Sequence, residues 1–74
     1  MLNFLYCFDS NYNIPAFCSM FSLLECVDER VNIFIMHKDF RNDEKIPEVV
    51  KNHKMLKKLV VSQVNLDNFD FPNI

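Results

Sequence analysis

Seventy-four residues with a formal charge of −2 and a pI near 5.5 make one small domain or a piece of a larger one. Half of the residues are hydrophobic, 14% are aromatic and eight are Phe, a composition too apolar for a solvated disordered segment. Glycine is absent, which excludes a Walker loop, a Gly-rich dinucleotide turn, an EF-hand and a Gly-Xaa-Ser-Xaa-Gly nucleophile elbow. Each of those needs Gly where backbone approaches closely or takes positive φ.

Leu2–Phe8 is a nearly continuous apolar run, which predicts a strand buried on both faces. Asp9-Ser10-Asn11-Tyr12-Asn13 then clusters turn and capping residues. Asn11 or Asn13 is the expected N-cap, with Pro15 in a first helical turn, where its missing N–H is harmless. A helix is predicted over Ala16–Val27, with Ser19, Ser22 and Glu25 as a narrow polar stripe on an otherwise apolar cylinder. Asp28-Glu29-Arg30 is a polar turn, and Val31–Met36 a second buried strand. Charged residues dominate His37–Glu44. Ile46, Val49, Val50, His53 and Leu56 then recur at helical spacing, predicting a second amphipathic helix. Leu59–Val64 reads as a third strand, and Asn65–Ile74 as an acidic, aromatic loop.

Buried strands alternating with helix-length connections predict an α/β fold, β-α-β-α-β, with parallel strands and right-handed crossovers. Ligands of such sheets bind beyond the carboxyl ends of the strands, at the switch in strand order. The expected functional loops are therefore Asp9–Asn13, His37–Glu44 and Asn65–Ile74.

The net acidity argues against a nucleic-acid partner. Between Lys45 and Lys58 five lysines face one glutamate, Glu48, and the expected reading is the solvated face of a helix. Cys7, Cys18 and Cys26 form no Cys-Xaa-Xaa-Cys pair. On one helix Cys18 and Cys26 stand about 12 Å apart, beyond disulfide reach, so buried free thiols and a reducing compartment are expected. The start of the chain has no basic n-region, and no apolar run reaches the roughly 20 residues a spanning helix needs. A cytoplasmic chain without a transmembrane segment is expected.

Asp9, Asn11 and Tyr12 fall together just past the first strand. A carboxylate, an amide and a ring face could make a nucleotide-base pocket without Gly, and an ordinary capped turn uses the same residues. His37 and His53 match no zinc spacing with the cysteines. His53 is expected as a packed core histidine on the apolar face of the second helix. His37, ending a strand near the ligand edge, is the better functional candidate of the two. Asp39, Asp43 and Glu44 could hold a cation loosely or form a solvated loop.

The block Phe4-Leu5-Tyr6-Cys7-Phe8-Asp9-Ser10-Asn11-Tyr12-Asn13-Ile14-Pro15, followed by Ser19-Met20-Phe21-Ser22-Leu23-Leu24-Glu25, resembles the N-terminus of glycosyltransferase family 8. That family comprises retaining, UDP-sugar-dependent enzymes of the Rossmann-like GT-A fold, among them bacterial lipopolysaccharide galactosyl- and glucosyltransferases. Its members open with a strand ending Ala-(Ser/Ala)-Asp-(Asp/Ser)-Asn-Tyr and a helix closing Ser-Leu-Leu-Glu. The second strand and Val64-Asn65…Phe69…Phe71-Pro72-Asn73-Ile74 are similar in order and spacing, so the resemblance spans essentially the whole chain.

The resemblance implies that residues 1–74 are the N-terminal, incomplete part of a nucleotide-sugar-binding domain. The family activity is transfer of a sugar from a UDP-sugar to a glycan or lipopolysaccharide acceptor with retention. By resemblance, Cys7 and Phe8 would offer backbone contacts to uridine. Asp9 would hydrogen-bond uracil or ribose, Asn11 would reach the ribose or phosphate side, and Tyr12 would stack on uracil. Mn²⁺ or Mg²⁺ is implied for the intact family. The Asp-Xaa-Asp motif that binds it has no counterpart here, so no metal, only weak UDP-sugar binding and no transfer are expected of this chain alone. His37 stands where many members carry an acidic residue. The competing readings are a non-catalytic truncated remnant and a receiver-like α/β interaction module with Asp9 as phosphoacceptor. A chain this short buries only about 60% of its unfolded surface, so poor folding or self-association is expected in isolation.

Overall fold

The computed structural model describes residues 2–64. Strand β1 spans Leu2–Phe8, helix α1 Asn13–Cys26, strand β2 Val31–His37, the one-turn helix α2 Glu48–Lys51, and strand β3 Leu56–Gln63. Single 3₁₀ turns precede each helix, at Ser10–Tyr12 and Asp43–Lys45. The three strands form one parallel sheet in the order β1-β2-β3. The chain is thus a small α/β unit with a three-stranded parallel sheet and two helices, as the alternation of strands and helices predicts.

The burial pattern explains the layering. Val31, Ile33, Ile35 and His37 are buried, and the residues between them are only partly covered. Their register partners on β1 are Leu2, Phe4, Tyr6 and Phe8. On this face Met20 and Leu24 of α1 and Val50 of α2 complete the core, joined by Ile46, Phe40 and Leu56. The opposite face carries Asn3, Leu5 and Cys7 on β1, Asn32, Phe34 and Met36 on β2, and Lys58, Val60 and Ser62 on β3. Leu5 is 63% exposed there.

Several elements differ from the sequence expectation. Helix α1 starts three residues earlier than predicted and has no side-chain cap. Asn11 and Asn13 are not its caps: Asp9 caps the preceding 3₁₀ turn, accepting from the Asn11 N–H, and Asn13 is the first helical residue. Ser19, Ser22 and Glu25 are exposed as the stripe predicts, but so are Cys18 and Phe21.

The second helix is the larger correction. It occupies Glu48–Lys51 alone, and neither His53 nor Leu56 belongs to it. Pro47 serves as N-cap, where its ring is tolerated, and paired β-branched Val49 and Val50 extend a helix poorly. Just after it, the His53 ring nitrogen Nδ1 accepts the Met55 N–H at 3.1 Å and turns the chain into β3. His53 is therefore a turn residue, 3.4 Å from the Glu25 carboxylate, rather than a core residue on a helix. Strand β3 consequently begins at Leu56 instead of Leu59. All three cysteines are free and exposed, which corrects the expectation of buried thiols.

Ile35 lies at the centre of the middle strand, so Ile35→Ala should cost about 2–5 kcal/mol of unfolding free energy. Val49→Ala, at an exposed site, should stay within about 0.5 kcal/mol. Urea unfolding followed by circular dichroism at one protein concentration measures both. An unchanged midpoint for Ile35→Ala would contradict this core.

Candidate functional site

The carboxyl ends of all three strands meet at one edge, and His37 is what joins them. Its side chain is completely buried. Nδ1 accepts the backbone N–H groups of Asp39 at 2.9 Å and Phe40 at 3.1 Å. An imidazole nitrogen that accepts carries no proton, so the proton sits on Nε2. Nε2 donates to Asn13 Oδ1 at 2.9 Å. The ring stacks on Phe40 with centroids 3.6 Å apart and meets Phe8 edge-on at 4.8 Å. Phe17 closes this aromatic box against Phe8 and Phe40.

Further bonds tie the same loops. The Ser10 hydroxyl donates to the Asp39 carboxylate, joining the loop after β1 to the loop after β2. Val64 N–H donates to the His37 carbonyl at 2.9 Å, and Gln63 Nε2 to the Lys38 carbonyl at 3.1 Å. Arg41 Nε donates to Gln63 Oε1 at 2.9 Å. Lys38, Asp39, Gln63 and Val64 line an open depression of about 430 Å³ between these loops.

The predicted site residues divide by what the backbone leaves free. Phe8 buries its ring in the core, and its carbonyl accepts the Lys38 N–H at 3.4 Å. The exposed Cys7 side chain is on the open face, with its thiol 3.8 Å from Met36 Sδ. Asp9 uses Oδ1 to hold the Asn11 N–H at 3.0 Å, and its carbonyl accepts the Tyr12 N–H. Asn11 and Tyr12 are therefore presented outward by a closed turn, with Tyr12 53% exposed. His37, the expected functional histidine, is instead enclosed with both ring nitrogens engaged. Asn13, Ser10, Asp39 and Phe40 form the clamp around it.

Of two further expectations, one changes here and one is untested. The order β1-β2-β3 contains no switch among the described strands, because each crossover moves the chain one strand in the same direction. The loop Asn65–Ile74 lies outside the described residues.

Among the described residues no group of three or more His, Cys, Asp or Glu side chains is placed to hold a metal ion. Asp9 is committed to its turn and Asp39 to Ser10. The Ser10 hydrogen bond, opposed by burial, holds the Asp39 carboxyl below its ordinary range. Burial pushes the His37 imidazole below its ordinary 6.5, against the pull of the Asp39 and Asp9 carboxylates.

No protein-family model, curated protein or solved structure matches this chain. Among the described residues no helix is long and apolar enough to cross a membrane.

The lowered His37 value carries a direction in pH. The unfolded chain takes up this proton near 6.5, while the folded chain resists it. The stabilisation is complete above that value and is lost as pH falls through the lower folded value. Asp39 gives the same sign of dependence, but only below its ordinary 3.8. Unfolding midpoints should therefore decline between pH 7 and pH 5, and His37→Asn should flatten that decline. In ¹⁵N-edited spectra at neutral pH the His37 ring should show its proton on Nε2. A proton on Nδ1 would contradict the clamp.

Proposed function

We propose that this chain is the uridine-facing part of a retaining, UDP-sugar-dependent glycosyltransferase of the Rossmann-like GT-A type. In that reading Tyr12 stacks on uracil, Asn11 and Asp9 supply polar contacts to base or ribose, and the backbone at Cys7 and Phe8 forms the floor. The observation that carries it is the closed Asp9–Tyr12 turn. It stands at the carboxyl end of β1, immediately before a long helix, with Asn11 and Tyr12 facing outward. Parallel α/β sheets bind ligands at that end of their strands. The sequence block running from Phe4 through Glu25, similar to family 8, supports the same assignment.

Local charge favours the nucleoside over the diphosphate. The acids nearest this turn are Asp9 and Asp39, each already bonded in place, and like charges nearby disfavour a phosphate. Transfer itself, with its acceptor and its Mn²⁺ or Mg²⁺, belongs to an intact enzyme of this type; this chain contributes part of the donor subsite and no catalytic residue. A cytoplasmic setting fits the UDP-sugar supply and the free thiols.

Binding should accordingly be weak. Association costs at least about 4 kcal/mol in lost freedom, and one stacked base returns roughly 1–3 kcal/mol. With two or three hydrogen bonds added, the dissociation constant should lie in the millimolar range. Titration of uridine and UDP, followed by chemical shifts, should show uridine binding at least as well as UDP, with Mn²⁺ barely changing either. Tyr12→Ala should abolish binding and Lys51→Ala should leave it intact. Binding that survives loss of both Asp9 and Tyr12 would overturn the assignment.

A further inference from the structure

The two edges of the sheet are built differently. Strand β3 carries Lys57 and Lys58, and a register shift opposite Val31/Asn32 makes Lys57 an extra residue there. Lysines and bulges are how proteins keep a sheet edge from pairing with another strand. Strand β1 has none of these devices. Its seven residues, Leu2-Asn3-Phe4-Leu5-Tyr6-Cys7-Phe8, contain no charge and no proline, and they pair with β2 in unbroken register. Among the described residues nothing pairs with its outer edge.

We propose that this edge pairs with β1 of a second copy of the chain, antiparallel about Leu5, giving a six-stranded sheet with a twofold axis. The strand is self-complementary in that arrangement. Leu5 meets the partner's Leu5, Phe4 meets the partner's Tyr6, Asn3 meets the partner's Cys7, and Leu2 meets the partner's Phe8. Every pair joins residues of the same face, so the helix-covered side continues into the helix-covered side and the open side into the open side. Aromatic cross-strand pairs such as Phe4 with the partner's Tyr6 stabilise antiparallel ladders. No charge on β1 opposes self-pairing, whereas self-pairing of β3 would bring Lys57 and Lys58 into the shared edge.

The contact is small. A strip about 23 Å long and about 10 Å tall falls short of the about 800 Å² per partner of a standard interface. The dimer should therefore be weak and concentration-dependent. The dimer is a property of this chain and does not rest on the uridine assignment; in an intact Rossmann-like domain a further strand would take the same edge.

Sedimentation velocity on the full chain between about 5 and about 500 µM should show a monomer–dimer equilibrium with a micromolar dissociation constant. Leu5→Lys puts like charges directly opposite one another on the axis, at a side chain 63% exposed and outside the core. It should raise the dissociation constant about fivefold or more, and Leu5→Glu should do the same. An equimolar mixture of the two variants should dimerise more tightly than either alone. In mixed-isotope wild-type samples, filtered NOEs should connect the Phe4 ring to the Tyr6 ring of the partner subunit. A wild type that is monomeric throughout, variants that associate as the wild type does, or a mixture no tighter than its components would each overturn the proposal.

Discussion

One buried imidazole that must stay neutral organises the carboxyl edge of the sheet. His37 ends the central strand, so whatever holds it in place is transmitted to both neighbours. As acceptor it fixes the first turn of the loop after β2, and as donor it fixes the first residue of α1. Leaving those two backbone N–H groups buried without an acceptor would cost about 1–3 kcal/mol each. In a chain this small that is a large share of the whole stability. The stacking of Phe40 and the edge contact of Phe8 exclude water from the ring, and that exclusion disfavours the charged imidazolium.

The presentation of Asn11 and Tyr12 depends on the same constraint. They stand between two anchors, the Asp9 carboxylate on one side and the Asn13 amide held by His37 on the other. A ring and an amide already fixed in direction lose less freedom when a ligand arrives. The Ser10–Asp39 bond adds a second tie between the same loops. Side chains that sequence reasoning assigns to ligand, cation or solvent are here the structural members that hold the ligand-facing ones.

The strands and the first helix were legible because their signals are collective. Six of the seven residues of β1 are apolar and β2 is nearly as uniform, which leaves little choice of state. The parallel order followed from the connection lengths. The second helix was misread because Ile46, Val49, Val50, His53 and Leu56 keep helical spacing by coincidence, while Pro47 and a side-chain-bonded turn at His53 divide the segment. The role of His37 was not legible at all. A strand-end histidine looks the same in sequence whether it faces solvent or is closed over by Phe40 and Asn13, and that difference is made by contacts 24 residues apart. The cysteines were misplaced for a related reason: the apolar pattern around them does not reveal that the sheet has only one covered face.

Amide hydrogen exchange at Asp39 and Phe40 tests the His37 clamp most directly. In the wild type at neutral pH both amides should exchange far more slowly than the exposed amides of the same loop. In His37→Phe, which keeps an aromatic ring but removes the acceptor, both should lose that protection while Ile33 and Ile35 in the central strand keep theirs. Equal exchange at Asp39 and Phe40 in the two proteins, with the strand amides protected in both, would contradict the clamp.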